Sequence, residues 1–346
     1  MKVSTILETA KIEKRTIFSF EIVPPLRGGD VQNIYRAVEP LMEFNPPHIN
    51  ITYHRDEVEY RTTDAGVIKK IVTTKRPGSV ALAAALMNRF KVEVVPHVVC
   101  AGATQYELEN DLIDLNFMGI ENVLALRGDP QPGEHGIFTP EAGGHRYACG
   151  LVKQIVAMNS GKYLDETLRE ATPTNFCTGV AGYPEKHYEA ADAESDIEHL
   201  RAKVAAGADY IVTQMFFDNA RFFDFVKHCR AAGITVPIIP GLKPISTVRH
   251  LETLPKTFNI NIPEELVRAV EQAAKTDLRG GDSCSGGRLV NGGVSEPVSC
   301  NAAVRKAGVE WAIAQSRELI AHGVPAVHYY TMGKSDNIVE IARAVF

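Results

Sequence analysis

Short apolar runs recur along this chain, and most of them end in polar side chains. The runs lie near residues 17–23, 48–53, 93–99, 122–127, 176–182, 210–216, 236–240 and 326–331 and alternate with helical patterns. Strands that are apolar on both faces are typical of parallel sheets covered by helices. Eight such strands with intervening helices predict an α/β fold, a single (β/α)₈ TIM barrel, rather than an open sheet.

The polar residues at the ends of these runs predict where the chemistry lies. The clearest case is the apolar run Leu124–Leu126, which ends abruptly in Arg127, Gly128 and Asp129. In (β/α)₈ barrels the C-terminal ends of the strands meet on one face, and that face carries the active site. The convergence of several polar strand ends therefore predicts an enzyme.

Several helices carry their own boundary residues. Thr104 and Glu107 have the spacing of a capping box, and either Asp218 or Asn219 can cap the helix that follows them. The C-terminal residues 336–346 have the pattern of a last barrel helix. These boundaries support alternation of strand and helix along the whole chain.

Two stretches interrupt the alternation. Residues 130–146 are rich in Gly and Pro and predict a long loop on the face of the predicted site. A Gly-rich stretch at about 279–299 has no periodicity and is interpreted as an insertion between two helices. We therefore expect one catalytic domain over residues 1–346 that contains this insertion.

Composition narrows the class of protein. The chain is 45% hydrophobic and 23% charged, with a net charge of -5, which predicts a soluble protein without general affinity for nucleic acid or anionic membranes. Residues 1–9 lack the apolar core of a signal peptide, so a cytoplasmic location is expected. The six cysteines contain no Cys-x-x-Cys pair, and no metal site is predicted. Cys284 and Cys300 could form a disulfide, bind a metal or be incidental thiols.

Two carboxylates are candidates for catalysis. Glu21 lies between Phe20 and Ile22, and burial there would raise its pKa and let it act as a general acid. The alternative is an interior carboxylate paired with a cation. Asp129 follows a glycine and could stay ionised beside Arg127, or it could be the structural partner of that arginine.

Other polar residues suggest an extended ligand. Asp196, His199 and Lys203 lie on one helix face, which either is simply solvated or, with Tyr183 and His187 just before it, lines a groove for a ribose and a pyrophosphate. His97 is either a satisfied core histidine or a ligand contact. Gln214 could contact a pterin or flavin edge, and Tyr330 and Lys334 could meet a carboxylated substrate tail. Neither a Rossmann fingerprint nor a P-loop is present in the sequence.

These residues occur in short blocks whose order and spacing are specific over nearly the whole chain. The blocks are Ser19–Glu21 with Pro24 and Pro25, Ile51–Tyr53, Pro96 and His97 with Cys100, Leu124–Asp129, Ala181–Glu185 with His187, Thr213 and Gln214 with Phe216–Asp218, Ile238–Gly241 and His328–Thr331. In these blocks the chain resembles the methylenetetrahydrofolate reductases, which are flavin-dependent (β/α)₈ barrels.

The resemblance implies a function. The chain would reduce 5,10-methylenetetrahydrofolate to 5-methyltetrahydrofolate with FAD as cofactor and NADH or NADPH as donor, and so supply methyl groups for methionine synthesis. It implies that Glu21 is the general acid and that Asp129 stabilises the cationic folate intermediate. Gln214, Tyr330 and Lys334, with these two carboxylates, would bind folate. The implied partners are the folate, the nicotinamide dinucleotide and further copies of the chain in a homo-oligomer.

The same resemblance implies a set of cofactor contacts. Thr52 lies where the family contacts the nicotinamide donor. The other implied contacts are Tyr53, His97, Arg127, Gly128, Asp129, Tyr147, Ala148, Tyr183, His187, Ala190, Asp196, His199 and Lys203.

Some positions depart from the family pattern. His54–Asp56 replaces small residues, His199 replaces an amide, and Leu254 lies near a position where some members stack a phenylalanine on the nicotinamide. The eukaryotic regulatory domain has no counterpart, so inhibition by S-adenosylmethionine is not expected. Two alternatives remain open: a folate or flavin barrel that receives electrons from a partner protein, and a non-catalytic folate-binding or assembly protein.

Overall fold

A computed structural model describes residues 1–63, 66–73, 76–130, 137–279, 301–333 and 335–346 of the chain. In chain order, its strands are β1 (Ile17–Ile22), β2 (His48–Ile51), β3 (Glu57–Thr62), β4 (Ile68–Thr73), β5 (Glu93–Val99), β6 (Asn122–Leu126), β7 (Cys177–Gly182), β8 (Tyr210–Met215), β9 (Ile238–Leu242) and β10 (Ala326–Tyr330). All except β3 and β4 form a closed barrel in the order β1-β10-β9-β8-β7-β6-β5-β2. The predicted TIM barrel and its eight strand positions are confirmed.

Helices connect these strands. They are α1 (Val3–Ile12), α2 (Val31–Val38), a 3₁₀ helix (Glu39–Phe44), α3 (Ser79–Phe90), α4 (Gln105–Phe117), α5 (Ala148–Asn159), α6 (Ala193–Ala205), α7 (Asn219–Ala231), α8 (His250–Phe258), α9 (Glu264–Arg279), α10 (Ala302–Ala321) and α11 (Asp336–Val345). The capping box of Thr104 and Glu107 is present, and Asp218 rather than Asn219 caps α7. Among the residues described, none of these helices combines the length and apolar character needed to cross a membrane.

The barrel strands place alternate side chains on opposite faces. On the outer face, residues such as Phe20, Ile49 and Val98 pack against the helices in the main core. Inside, at the N-terminal ends of the strands, a second core contains Ile17 and Tyr210. Because the period of a strand is two residues, the same interior face carries polar residues further along each strand.

The helix α1 closes the N-terminal end of the barrel. Its buried residues Val3, Ile6, Leu7 and Ala10 join the interior core at that end, and Val3 N donates to Asn122 Oδ1 at 2.8 Å. This helix was not among the predicted elements, although the spacing of its apolar residues is helical. It leaves the C-terminal face of the barrel for the site.

Two further features concern the connections. The antiparallel hairpin of β3 and β4, which follows β2, was not predicted. The described parts of the predicted loop, residue 130 and residues 137–146, contain neither helix nor strand. The Gly-rich stretch predicted at about 279–299 lies between α9 and α10 and, beyond Arg279, falls outside the described residues.

Candidate active site at the C-terminal ends of the strands

Glu21 lies on the interior face of β1, with 9% of its surface exposed. Its carboxylate oxygen Oε2 is 3.9 Å from Nε2 of His97 on β5 and 4.0 Å from Nε2 of His328 on β10. Burial raises the pKa of Glu21 to about 7, while the nearby His97 and Lys243 oppose that rise. Glu21 can therefore take up and release a proton near neutral pH.

Burial keeps the two imidazoles beside Glu21 neutral. It lowers the pKa of His97 to about 4 and that of His328 to about 3. Nδ1 of His328 is hydrogen-bonded to Ser19 Oγ at 3.0 Å. In contrast, Nε2 of His97 has no hydrogen-bond partner within the described part of the chain. Such a buried polar atom beside Glu21 marks a position that a ligand atom can satisfy.

Two hydroxyl groups tie the end of β10 to β1, its neighbour, and to β8, which lies beyond β9. Thr331 Oγ1 donates to the carbonyl oxygen of Glu21 at 2.7 Å, and the Tyr330 hydroxyl donates to the carbonyl oxygen of Thr213. The Tyr330 ring lies over Gly241, where a Cβ atom would be 2.5 Å from the tyrosine hydroxyl. Tyr330 therefore forms part of the wall of the site, and its contact with folate stays a prediction.

Lys243 is a buried cation at the same mouth that is absent from the predicted residues. It follows β9 directly, and only 6% of its surface is exposed. Burial lowers its pKa to about 8, and the Glu21 carboxylate opposes that change. Its alternation with Ile239 and Gly241 along the strand is the sequence feature that identifies it as an interior residue.

Arg127 at the end of β6 is held by a carboxylate from the loop after β7. It forms a salt bridge through Nη1 with Glu189 Oε2, and Nη2 donates to Glu189 Oε1 at 3.1 Å. Its guanidinium carbon also lies 4.8 Å from the centre of the Phe138 ring. Asp129 is exposed and is not the structural partner of Arg127, so the pairing considered from the sequence is wrong.

Gly128 between these two residues has a backbone that other residues rarely adopt. Its φ is +87°, and a Cβ atom there would lie 2.6 Å from side-chain carbons of both Val99 and Ala101. The prediction that this glycine permits an unusual backbone angle is therefore confirmed. The residues on either side of it both lie near the loop after β7: Arg127 contacts Glu189, and the charge of Asp129 acts on Tyr183.

The loop after β7 forms an aromatic cluster. The ring of His187 lies 4.7 Å from that of Tyr183 and 4.6 Å from that of Tyr188, measured between centroids. Burial lowers the pKa of His187, and Arg127 lowers it further. A neutral imidazole and two phenol rings next to Arg127 can pack against flat or polar parts of a ligand.

Of the three residues predicted to bind the cofactor through one face of α6, two bond to neighbouring protein groups and one is exposed. Asp196 Oδ2 accepts a hydrogen bond from His187 N at 3.0 Å, and Lys203 Nζ donates to Ala181 O at 2.6 Å. His199 is exposed to solvent. Burial lowers the pKa of Lys203 to about 8, while Asp196 opposes that change. Two of the three residues therefore hold the loop and strand that border the site.

The other predicted contacts lie around the same mouth. Thr52 Oγ1 is hydrogen-bonded to His54 Nε2 at 3.2 Å, and Gln214 Oε1 accepts from the backbone N of Met215 at 2.9 Å. Tyr53 is half-buried, Tyr147 and Ala148 begin α5, and Ala190 is buried in the loop after β7. Lys334 lies outside the described residues. As ligand contacts, all of these stay predictions.

The chemistry of these donors fits a cofactor with phosphates. Arg127 and Lys203 are close enough for the guanidinium to lower the pKa of the ammonium. The two-point contact of Arg127 with a carboxylate is a geometry that a phosphate can also adopt. Gly128 and the aromatic cluster border the same region. These residues are therefore suited to hold FAD.

Metal sites and cysteine pairing are the two further kinds of site considered from the sequence. No group of His, Cys, Asp and Glu able to hold a metal ion occurs in the described ranges. Cys100, Cys149, Cys177 and Cys229 are free thiols, whereas Cys284 and Cys300 lie outside the described residues, and their pairing stays untested.

Comparisons with known proteins identify the family. Its sequence model, described as methylenetetrahydrofolate reductase, matches residues 5–280. The chain is 29% identical to "Methylenetetrahydrofolate reductase (NADH) 1" of Arabidopsis thaliana, covering 99% of this chain and 50% of the relative. It is 29% identical to "Probable methylenetetrahydrofolate reductase (NADPH)" of Caenorhabditis elegans, covering 96% and 42%. It is 32% identical to "5,10-methylenetetrahydrofolate reductase" of Escherichia coli, covering 73% of each. The chain thus spans about half the length of its eukaryotic relatives.

Proposed function

Because this chain belongs to the methylenetetrahydrofolate reductase family, we propose that it reduces 5,10-methylenetetrahydrofolate to 5-methyltetrahydrofolate. FAD is the proposed cofactor, NADH or NADPH the proposed electron donor, and methionine synthesis the proposed use of the product. The observation that carries the proposal is Glu21, a buried carboxyl at the barrel mouth whose pKa is about 7.

Glu21 is proposed to protonate the folate nitrogen from which the methylene bridge opens. Its raised pKa keeps a substantial fraction of the carboxyl protonated at neutral pH, as a general acid requires. The neutral imidazoles of His97 and His328 border the carboxyl without neutralising it as permanent cations would. After the transfer, the Glu21 carboxylate takes a proton from water.

Asp129 and Gln214 are proposed to act on the folate. Opening the methylene bridge leaves a cationic iminium, and an ionised carboxylate at the end of β6 would stabilise that charge. The Gln214 amide can both donate and accept hydrogen bonds, which matches the alternating donors and acceptors of a pterin edge. Their strands, β6 and β8, flank β7 in the barrel.

Arg127, Lys203 and the cluster around His187 are proposed to hold FAD. The two cations would neutralise its pyrophosphate, and the aromatic rings would pack beside it. When bound, FAD supplies hydride transfer between the nicotinamide donor and the folate.

Anaerobic flavin reduction tests the proposal. The purified protein, saturated with FAD, is mixed with NADH or NADPH and then with 5,10-methylenetetrahydrofolate while the flavin absorbance is followed. We expect bleaching by the nicotinamide and recovery of the colour on addition of folate, with 5-methyltetrahydrofolate as product. Bleaching only by a redox partner protein would favour the alternative of a folate or flavin barrel that receives its electrons from such a partner. Failure to bind FAD at all would favour a non-catalytic role.

A further inference from the structure

Lys243 has an unusual environment for a lysine. It is 6% exposed, and its ammonium forms no salt bridge within 4.0 Å with a carboxylate of the described residues, the ion contacts of Glu21 being with His97 and His328. Lysine is rarely this buried unless it is paired, because removing a charge from water is costly. Lys243 is therefore a candidate for a role toward the carboxyl group at the same mouth.

The strand registers place Lys243 level with Glu21. β10 lies between β1 and β9, with Glu21 paired to Tyr330 and Leu242 paired to Tyr329. Lys243, one residue beyond Leu242, therefore stands opposite Glu21 across Tyr330. Two strand spacings separate their backbones by about 10 Å, and both side chains extend into the narrow interior between them.

The charges of the two groups act on each other across this interior. The ammonium favours the ionised form of Glu21, and the carboxylate favours the charged form of Lys243. No bond within 4.0 Å joins them, so the effect is one of charge at a distance rather than a closed ion pair.

The other titratable groups around the pair are neutral near pH 7. Glu21 also faces His97 of β5 and His328 and Tyr330 of β10; burial lowers the pKa of both imidazoles and raises that of the phenol. His250 of α8 lies near Lys243, and burial lowers its pKa to about 4. Lys243 is thus the cation that faces Glu21 at neutral pH in the part of the chain that the structure describes.

We propose that Lys243 is a positioning residue for Glu21: its ammonium faces that carboxyl across Tyr330 inside the barrel and stabilises the carboxylate that forms during folate reduction. The role rests on the proposed function. Glu21 breaks its O–H bond as the folate nitrogen gains the proton, and water then restores the carboxyl. Lys243 keeps its own proton throughout. Without its charge, Glu21 would be a weaker acid that releases its proton less readily.

The first test measures the proton affinity of Glu21 directly. Protein labelled with carbon-13 at the glutamate carboxyl is titrated by NMR, with Glu21→Gln used to assign the signal. We expect Lys243→Met to move the Glu21 midpoint to higher pH by about one unit, because an attractive charge is removed. Lys243→Arg keeps the charge and should keep the midpoint near that of the wild type.

An unchanged Glu21 midpoint in Lys243→Met overturns the proposal. Lys243→Gln, which is smaller and polar, is titrated in parallel so that a folding defect in the methionine variant leaves the test intact. If both neutral variants fail to fold while Lys243→Arg folds, the lysine supports the structure rather than Glu21, and the proposal is overturned.

The second test separates this role from the proposed function. The rate of flavin reoxidation by folate is measured against pH in wild type, Lys243→Met and Lys243→Arg. We expect the pH at which the rate falls to rise by about one unit in Lys243→Met, with a lower plateau rate, and to be restored in Lys243→Arg. A shifted NMR midpoint with an unshifted folate profile would overturn the positioning role. A wild type that never reduces folate would instead refute the proposed function, and the NMR titration would still show whether the two charges interact.

Discussion

The ammonium of Lys203 donates a hydrogen bond to the backbone carbonyl of Ala181 at 2.6 Å and thereby ties α6 to the end of β7. The same ammonium lies 5.8 Å from the centre of the Tyr183 ring. Lys203 therefore helps to fix the loop that carries His187 as well as presenting a charge to it. A substitution here should affect both the cofactor and the strand end.

Replacing Lys203 by alanine should weaken FAD binding by about 10- to 150-fold, the equivalent of one charge-assisted hydrogen bond. Fluorescence titration of the apoprotein gives the dissociation constant. Added FAD should also raise the melting temperature of the wild type more than that of the variant at subsaturating cofactor. Lys227→Ala removes an exposed lysine of α7 and serves as the control. Equal affinities for Lys203→Ala and the control would mean that the α6 face does not contact the cofactor.

Glu21→Gln should leave flavin reduction by the nicotinamide close to normal and slow folate reduction by about 10²- to 10⁴-fold, because only the folate step needs a proton donor. Stopped-flow absorbance measures the two half-reactions separately. Glu109→Gln is a matched control, since Glu109 is also buried but accepts a backbone hydrogen bond from Leu164 in the outer layer. A similar loss in both half-reactions would remove Glu21 from the role of acid.

Asp129→Asn should raise the reduction potential of bound FAD and slow the folate step. The exposed carboxylate disfavours extra negative charge on the reduced flavin and favours the folate cation, and the amide does neither. Potentiometric titration with a reference dye measures the first effect. An unchanged potential together with normal folate turnover would show that Asp129 lies too far from both ligands to act on them.

Gly128→Ala should destabilise the protein by about 1 to 3 kcal/mol, because it combines a disfavoured φ with two close contacts. Gly233→Ala is the control: its φ is +81°, but a Cβ atom there would meet nothing within 4 Å. That variant should lose only about 1 kcal/mol. Chemical denaturation compares the two, and equal losses would indicate that Val99 and Ala101 move aside at little cost.

The buried histidines should make the fold sensitive to acid. Burial lowers the pKa values of His48 and His328 to about 3 and that of His97 to about 4, so the unfolded chain binds more protons as the pH falls below about 6.5. The free energy of unfolding should therefore decrease as pH falls from about 6.5 to 4, by up to about 1.4 kcal/mol per pH unit for each group.

Over part of that pH range, Glu21 changes the free energy of unfolding in the opposite direction. The pKa of Glu21 is about 7 in the folded protein and about 4.5 in the unfolded chain. Between these two pH values the folded state binds a proton that the unfolded state lacks, and this difference favours folding as the pH falls. Glu21→Gln removes this opposing contribution, so its stability should fall more steeply with acid than that of the wild type. Denaturant midpoints measured at successive pH values test both statements. Parallel curves would contradict the shifted Glu21 pKa.

The repeated apolar runs were sufficient to predict the barrel because each buried strand has the same two-face pattern. Glu21 could be identified because a carboxylate stands within such a run between Phe20 and Ile22. The pairing of Arg127 with Glu189 could not, since the two residues meet only after the loop following β7 folds back over β6. Lys243 follows a strand, as many solvated lysines do, and its alternation with Ile239 and Gly241 was the one sequence feature that could have shown that it faces inwards.

Because α1 closes the N-terminal end of the barrel, the interior is open only at the C-terminal ends of the strands. Val3, Ile6 and Leu7 fill the closed end, so reactants, products and water all enter and leave at the open end. If the proposed reaction holds, the nicotinamide and the folate would visit the same flavin through that single opening. Each ligand would then have to enter and leave the site past the same strand ends that carry Glu21, Arg127 and Gln214.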